Sequence, residues 1–493
     1  MILRKRLTAM LLVIGMTAGV IGVGASGVTV PKETEESLFG GKKDTIYFWY
    51  TDDALSDYVN SAAVNFGEAN DVRVIPVLKS GREYVEAVNY ASLHDEEQMP
   101  DVYLLSNDSL GKAYLAGLAA EIKDSPVCTP EVFPQSALSA VTYDGKIIAY
   151  PYYFETSAYL YNKTYLEDFV KERLKEEAGA GAEGEEAEEA AEFSVPQEQL
   201  EASVQELLPQ TMDELLSFAD AYIAPEAVES ILKWDVSDIF YNYYFIGQYM
   251  VVGGEAGDDE NQIDIYNLES IECLKVYQKL NQFFYIEPDM VTYDSVLQDF
   301  IDGKVVFSVV TNDAIARLEE AREDGSFPFE YGIMTVPRIS EALAGRSLSV
   351  TNAVVVNGYS GQQELANRFA TYLTTEYLDN FYTRTGKTAS SYHAAYENFW
   401  LNAFRSEYEK SIPMPKMIET SNFWIQLEIL FSRVWNGENI NDLVRGLSEQ
   451  MMTQILGQPF TEEYIEEPQT EPEEEEEYID DGETMDDGEV TNQ

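Results

Sequence analysis

Residues 141–163 read VTYDGKIIAYPYYFETSAYLYNK, and this stretch decides the expected fold. An Asp-Gly turn followed by the short apolar run 146–150 predicts a strand that comes after a hairpin. A proline ends the regular pairing, and residues 157–161 predict a second strand. Glu155 is therefore expected in the connection between two strands, where it is either a plain surface acid or a ligand-binding group.

The chain is long and strongly acidic. Its 493 residues allow about two to three domains with a large core. The 88 acidic residues outnumber the 32 basic ones, and a net charge of −56 argues against nucleic acid or anionic lipid as a partner. Much of the charge lies within residues 168–206 and 460–493, whose low-complexity stretches cannot bury a core.

The N-terminal residues have the pattern of an export signal. Three basic residues at positions 4–6 precede an apolar stretch over 7–23, and small residues follow at the expected cleavage site. We expect a signal peptide over residues 1–25 and a flexible leader over 26–42, with an uncleaved membrane anchor as the alternative. The protein is therefore expected to be exported, either extracellular or associated with the cell surface. No cysteine follows the apolar stretch, so a lipid anchor is not expected.

The opening stretch also carries a longer pattern. It combines Tyr-x-Gly-Lys-x-x-Ala-Tyr-Pro, a Glu four residues after the proline, and then Tyr-Asn-Lys. The residues in this pattern are Tyr143, Gly145, Lys146, Ala149, Tyr150, Pro151, Glu155, Tyr161, Asn162 and Lys163. The stretch resembles the bacterial extracellular solute-binding proteins of family 1, the maltose-binding-protein-like proteins, in which that Glu contacts the sugar.

The resemblance implies a fold and a function. The expected fold is α/β, a two-lobe periplasmic-binding-protein-like fold of type II, with hinge-connected lobes and a ligand cleft between them. The expected function is capture of a carbohydrate, an oligosaccharide, and its delivery to the membrane subunits of an ABC importer. The protein would act as a monomer, without cofactor or metal and without catalysis.

The same resemblance gives domain boundaries. Residues 43–151 with 336–385 would form lobe 1, and residues 152–335 with 386–459 would form lobe 2. Residues 168–206 would be an acidic insertion on lobe 2, and residues 460–493 a disordered acidic tail. The two cysteines, Cys128 and Cys273, would then lie in different lobes, and both are expected to be buried or inert thiols.

Candidate ligand-binding residues follow the predicted strands of lobe 1. A strand over 45–50, a helix over 55–70 and a strand over 72–78 form a β-α-β unit, which places ligands at the carboxyl ends of its strands. Thr51 and Asp53 follow the first strand, although adjacent acids there are as often a helix cap. Asn107 and Asp108 follow the strand over 101–105. The resemblance assigns sugar hydroxyls to Asp108 and places an aromatic platform of the family at Leu105, where it is missing.

The remaining candidates come from residues assigned to lobe 2 and from the stretch around Glu155. They are polar or aromatic groups, which suit the hydroxyls and the C–H faces of sugar rings. These candidates are Tyr153, Glu155, Tyr241, Asn242, Tyr243, Thr311, Asn312, Asp313 and Trp424. The resemblance makes Trp424 a stacking platform, whereas a tryptophan on a helix is more often core. The loop at 310–313 lacks the family's Trp, so a second stacking position is also replaced.

Three other functions fit parts of the sequence. A ferric-ion binder could use Tyr243 and Tyr244 with carboxylates. A glycosidase could use Glu155 with Asp108 or Asp53 as its pair of carboxylates. A surface adhesion or scaffold protein could have kept the fold and lost transport.

Overall fold

The structure is a computed structural model that describes residues 43–80, 83–94, 97–179 and 195–466. The expected signal peptide, the leader, the centre of the acidic insertion and the tail beyond residue 466 lie outside the described residues.

Fourteen strands occur in the described part of the chain. They are β1 (Thr45–Tyr50), β2 (Arg73–Leu78), β3 (Val102–Ser106), β4 (Thr142–Tyr143), β5 (Lys146–Ile147), β6 (Tyr150–Asn162), β7 (Ser230–Lys233), β8 (Val251–Val252), β9 (Ile263–Asp264), β10 (Val305–Thr311), β11 (Tyr331–Met334), β12 (Leu348–Val356), β13 (Thr388–Ala389) and β14 (Ile412–Pro413).

Sixteen α-helices occur in the same residues. They are α1 (Ser56–Asn70), α2 (Tyr84–Leu93), α3 (Leu110–Leu115), α4 (Gln135–Ala140), α5 (Lys163–Gly179), α6 (Gln197–Leu207), α7 (Met212–Ala221), α8 (Ile239–Asn242), α9 (Leu268–Phe284), α10 (Tyr293–Ile301), α11 (Ala314–Glu323), α12 (Gln363–Thr371), α13 (Phe381–Thr385), α14 (Leu401–Lys410), α15 (Phe423–Trp435) and α16 (Ile440–Leu456).

The central element is β6, a continuous strand of 13 residues. Its first half pairs with β12 and β13, and its second half pairs with β10 and β11. The expected connection between two strands is therefore absent, and Glu155 lies within the strand. The strand continues through Pro151 because a bulge opposite Ala353 accommodates a residue that has no N–H to donate.

The first half of β6 closes a mixed sheet with strand order β2-β1-β3-β12-β6. Strand β1 is parallel to β2 and β3, which confirms the β-α-β unit predicted around α1. Strand β12 runs antiparallel to β3 and β6. Apolar side chains on both faces of β1, such as Phe48 and Trp49, are buried against the surrounding helices, as a central parallel strand requires.

The second half of β6 belongs to a sheet in which β10 lies between β6 and β7. Its main core is rich in aromatic rings and includes Trp234, Tyr277 and Trp435. Thr311, the last residue of β10, pairs with Ser157, and Ser349 near the start of β12 pairs with Thr156. The carboxyl end of β10 therefore reaches the middle of β6, next to Glu155.

Two segments near the expected lobe boundaries pack against distant parts of the chain. Residues 153–156 pair with β12, in the sheet that contains β1 and β3. The Arg338 N–H donates to the Gln210 carbonyl at 2.8 Å, and Ile339 is buried in the aromatic core that contains Trp234. The lobe boundaries themselves stay a prediction.

The ends of the expected insertion and the start of the expected tail are anchored. Leu200 and Val204 on α6 are buried in the aromatic core, so α6 is not an expendable surface piece. The backbone N–H of Ile465 donates to the Tyr266 hydroxyl at 2.9 Å, and its carbonyl accepts from Asn441 at 2.9 Å. The ordered chain therefore continues past residue 459, and the prediction of disorder from residue 460 is wrong for 460–466.

Both cysteines are free thiols, as expected. Burial raises the pKa of Cys128 to about 11 and that of Cys273 to about 12, so both are inert at neutral pH. Among the described helices, none combines the length and apolar character needed to cross a membrane.

Candidate functional site

Glu155 lies at the middle of β6, where the two sheets meet. Its neighbours along the strand, Phe154 and Thr156, are buried, whereas its own carboxylate is about half exposed, at 49%. An acidic side chain held on a central strand and open to solvent is unusual, because such strands normally bury both faces. The position therefore provides a hydrogen-bond acceptor on a rigid base.

Lys387 connects Glu155 to the end of β1. Its ammonium lies 2.8 Å from an oxygen of Asp52 and 3.9 Å from Glu155 Oε1. The same ammonium lies 5.6 Å from the ring centre of Tyr153, within the range of a cation–π contact. Lys387 immediately precedes β13, which pairs with Tyr153 and Phe154, so the backbone holds this side chain beside Glu155.

The pKa of the Glu155 carboxyl is raised above its usual value. Burial among protein atoms is the largest cause, Lys387 acts in the opposite direction, and the carboxylates of Asp313 and Asp52 raise it further. Three carboxylates and one ammonium therefore interact electrostatically here, and we call these four residues the Glu155 cluster: Asp52, Glu155, Asp313 and Lys387.

Asp313 follows β10 and is surrounded by hydroxyl donors. The Tyr293 hydroxyl donates to Asp313 Oδ1 at 2.8 Å, and the Thr311 hydroxyl donates to the same oxygen. The Tyr293 ring stacks on Tyr241, with ring centres 5.2 Å apart and an interplanar angle of 10°. The structure thus brings together three of the candidate residues, Thr311, Asp313 and Tyr241. Tyr293 connects them, and the sequence analysis did not predict its part in this group.

Asn312 does not face the site. Its side chain is buried and makes three hydrogen bonds: it accepts from Thr156 N at 3.2 Å and donates to the Phe154 carbonyl and the Thr388 hydroxyl. Both of its N–H donors and one acceptor position of its oxygen are used by the backbone beside Glu155 and by Thr388, the residue after Lys387. Asn312 therefore holds the backbone around Glu155, and its contact with a ligand stays a prediction.

A polar cavity of about 560 Å³ opens beside the Glu155 cluster. Its walls come from the carboxyl ends of β1 and β3 and from α2, and they include Thr51, Asp52, Tyr84, Leu105 and Tyr153. Leu105 lies in the wall, so an aromatic ring is absent from that position. Tyr84 and Tyr153 supply aromatic rings elsewhere in the same cavity, and Tyr84 on α2 is a second residue that the sequence analysis missed.

The acids after β1 and β3 are partly occupied by local hydrogen bonds. Asp52 accepts from Ala54 N at 3.0 Å, so it caps the short helical turn that follows as well as binding Lys387. Asp53 is exposed and accepts from the Ser56 hydroxyl at 3.0 Å. Asp108 accepts from the hydroxyls of its neighbours Ser106 and Ser109. Both readings of the adjacent acids after β1, cap and cleft group, therefore apply.

Three other candidates belong to the framework. Asn107 is fully buried and joins Thr351 N to the Met414 carbonyl. Asn242 accepts from the indole N–H of Trp234 and donates to the Val236 carbonyl. Tyr243 is buried in the aromatic core. In this structure the three side chains are enclosed by the protein, so their contact with a ligand stays a prediction.

Trp424 occupies an intermediate position at the start of α15. Its ring contacts Tyr243 and Phe423, with ring centres 5.7 and 5.5 Å apart, and it remains partly exposed. One face is therefore anchored on the core of lobe 2 while part of the ring remains accessible. This arrangement suits a stacking platform better than a core residue, because a core residue would be covered on all sides.

The site contains no obvious place for a metal ion. No group of three or more His, Cys, Asp or Glu side chains in metal-binding geometry occurs within residues 43–80, 83–94, 97–179 and 195–466. The tyrosines considered for ferric iron are both buried in the core, where the Tyr244 hydroxyl bonds to the Tyr159 hydroxyl at 2.7 Å. The Tyr244 hydroxyl is therefore engaged inside the core, which argues against the iron-binding alternative in that form.

Comparison with known families identifies the class of protein. The model of a family described as bacterial extracellular solute-binding protein matches residues 61–397, which is more than half of the chain. The chain belongs to this family. The matched region contains the whole of β6, with Glu155 and Lys387, so the solute-binding family and the expected resemblance are confirmed.

Individual relatives support the same assignment. The chain is 22% identical over 451 residues to the maltodextrin-binding protein MdxE of Bacillus subtilis (strain 168), covering 88% of this chain and 96% of the relative. It therefore spans nearly the full length of that solute-binding protein.

Solved structures show the fold. An extracellular solute-binding protein of Staphylococcus aureus in complex with maltose superposes with a TM-score of 0.67 at 20% identity, covering 85% of this chain and 99% of the other. The maltose-binding periplasmic protein MalE of Listeria monocytogenes gives 0.66 at 20% identity, covering 85% and 100%. These similarities confirm the two-lobe α/β fold of the solute-binding proteins.

Proposed function

We propose that this protein captures a carbohydrate, an oligosaccharide, between its two lobes and delivers it to the membrane subunits of an ABC importer. The observation that carries the proposal is the half-exposed Glu155 at the middle of β6, beside Asp52, Asp313 and Lys387. Carboxylates and an ammonium accept from and donate to sugar hydroxyls, and they do so more strongly than neutral groups.

Aromatic rings around the Glu155 cluster add to this support. Tyr153 lines the polar cavity, and Tyr241 stacks on Tyr293 next to Asp313. Of the candidate residues, we assign ligand contact to Thr51, Asp53, Asp108, Tyr153, Glu155, Tyr241, Thr311, Asp313 and Trp424. A relative named for maltodextrin and structures with bound maltose make glucose oligomers the first ligands to test.

Binding would close the cleft by a hinge motion around β6 and the segments that cross beside it. Ligand stabilises the closed form only to the extent that it contacts both lobes. Thr51 and Glu155 would supply contacts from the side of lobe 1, and Asp313 and Trp424 from lobe 2.

A thermal-shift screen of the purified protein tests the proposal. The screen uses maltose, maltotriose and maltotetraose, together with oligosaccharides of other sugars, and the Glu155→Gln variant as a matched control. A ligand at 100 times its dissociation constant should add about 2.7 kcal/mol to the free energy of unfolding. The absence of a shift with every saccharide would contradict carbohydrate capture.

Export, delivery and the absence of catalysis are parts of the same proposal. Material recovered from the cell surface should lack residues 1–25, and mass spectrometry that finds Met1 would show a retained anchor instead.

Deleting the gene from its host should abolish uptake of the identified sugar, whereas a pure adhesion protein would leave uptake unchanged. Labelled oligosaccharides should remain intact during incubation with the protein, and their cleavage would favour a glycosidase.

A further inference from the structure

The geometry points to Lys387 as a positioning residue of the sugar site: held by Asp52, its ammonium keeps the Glu155 carboxylate ionised and directed at the ligand. The predicted effect of Lys387 on sugar binding rests on the proposed function. The structural part of the inference, the effect of Lys387 on Glu155, can be tested in the ligand-free protein.

The position of the Lys387 ammonium is determined by contacts on both sides. The ammonium forms an ion pair with Asp52 at 2.8 Å, whereas Glu155 lies 3.9 Å away, at the limit of an ion pair. Asp52 is itself fixed as the cap of the turn after β1. The ammonium therefore cannot follow Glu155 freely, and it acts as a fixed positive charge beside one carboxylate oxygen.

The backbone around Lys387 is equally constrained. Gly386 ends α13 with a φ of +68°, a conformation that favours glycine, and the Lys387 N–H donates to the Thr385 hydroxyl at 3.1 Å. Thr388 pairs with Phe154 in β13 and also accepts from the Asn312 amide. Lys387 directly precedes a strand that pairs with the residue before Glu155, so the sheet sets the backbone positions of both residues.

The charges facing Glu155 show why a fixed cation is needed. Asp52 approaches from the end of β1 and Asp313 from the end of β10, and both disfavour a third negative charge. Tyr153, on β6 itself, contributes a neutral phenol whose pKa is raised by burial. Lys387 opposes these influences. Glu155 Oε1 is the oxygen that lies near the ammonium. Only the ionised carboxylate accepts hydrogen bonds at both oxygens, because a protonated carboxyl carries a donor on one of them.

The first test measures the titration of Glu155 without ligand. Carbon-detected NMR on protein with labelled glutamate follows the Glu155 carboxyl, which is identified by its loss in Glu155→Gln. Lys387→Met keeps the length of the side chain and removes the charge, so the titration midpoint should move to higher pH. Lys387→Arg should return it toward the wild-type value. A Lys387→Met midpoint equal to the wild type would overturn the inference.

A second variant keeps the test decisive if Lys387→Met does not fold. Lys387→Gln removes the charge and keeps a polar side chain in the same place. The Glu155 midpoint should again move to higher pH, and an unchanged or lower midpoint would contradict the assigned role.

The consequence for binding is measured by calorimetry with maltotriose between pH 4 and pH 8. Affinity should fall as the pH drops through the Glu155 midpoint, and in Lys387→Met this loss should begin at higher pH. Lys387→Arg should restore the wild-type profile, which a merely structural role would not require. If no variant binds maltotriose while the midpoint still shifts, the positioning role stands and binding of this sugar fails. If maltotriose binds with identical pH profiles in all three proteins, the positioning role fails and the binding function stands.

Discussion

The side-chain amide of Asn312 forms hydrogen bonds to the backbone on both sides of Glu155, at Phe154 and at Thr156. Its Oδ1 accepts from Thr156 N at 3.2 Å, and its Nδ2 donates to the Phe154 carbonyl at 2.9 Å. Asn312 follows β10, in the sheet of lobe 2. One residue of that sheet therefore determines the orientation of the acid at the middle of β6.

Asn312→Ala should reduce both stability and binding. It leaves the buried N–H of Thr156 without its partner, which costs about 1 to 3 kcal/mol of unfolding free energy. Because Glu155 loses its support, maltotriose affinity should fall as well. Asn242→Ala is the matched control, since that amide is also buried but bonds to Trp234 and Val236 instead of β6. Urea denaturation and calorimetry should show stability loss in both variants and affinity loss only in Asn312→Ala.

Glu155→Gln should weaken sugar binding with little effect on the ligand-free protein. The substitution preserves shape but removes charge-assisted acceptance from hydroxyls, which costs on the order of 1.5 to 3 kcal/mol of binding free energy. Thermal denaturation without ligand should change little, because the carboxylate is half exposed. A large fall in melting temperature together with unchanged affinity would show that Glu155 is a structural residue.

Trp424→Ala should weaken binding by about 1 to 3 kcal/mol if a sugar ring stacks on the indole, through loss of apolar area and stacking. Some stability should also be lost because the ring packs on Tyr243. The control is Trp435→Phe, a change inside the core that removes the indole N–H bond to the Ile286 carbonyl. Calorimetry should find unchanged affinity in the control, and equal affinity losses in both variants would argue against stacking on Trp424.

Truncation of the acidic tail should have different effects at two positions. Ending the chain after residue 466 keeps the bonds of Ile465 to Tyr266 and Asn441, and the melting temperature should not change. Ending it after Pro459 removes them, together with the Ser448–Glu462 hydrogen bond at 2.6 Å, and the melting temperature should fall.

Deleting residues 178–191 should leave folding intact, and a loss of several degrees in the melting temperature would contradict that expectation.

Lys416 should make the free energy of unfolding depend on pH above neutrality. Its side chain is buried and donates to the carbonyls of Ser139 and Ala256, and burial lowers its pKa to about 8, with Asp258 acting in the opposite direction. Between pH 8 and the ordinary lysine pKa, the unfolded chain holds a proton that the folded protein has released. Raising the pH in this window therefore favours the folded state.

Comparison with Lys416→Met isolates this contribution from that of other groups. From pH 8 to pH 10, the unfolding free energy of the wild type should rise relative to the variant, by at most about 1.4 kcal/mol per pH unit. Parallel stability profiles in urea denaturation would show that Lys416 titrates normally.

The sequence by itself determined the family, the β-α-β start of the chain and the identity of the central acid. These rest on local patterns: the alternation and apolar runs of β1 and β2, the Asp-Gly turn before β5, and the motif around Glu155. Such patterns follow from the conformational preferences of neighbouring residues, which act over a few positions along the chain.

Only the tertiary structure decided which polar side chains face the cleft. Asn107 and Asn312 follow strands and Asn242 ends α8, and all three positions suited a ligand, but buried groups of the protein use their amides. Conversely, Lys387 lies in a segment without a distinctive motif and reaches Glu155 because β13 pairs with β6. Hydrogen-bond partners far apart in sequence are fixed by strand pairing and core packing, and a buried polar group must take whichever partner that packing supplies.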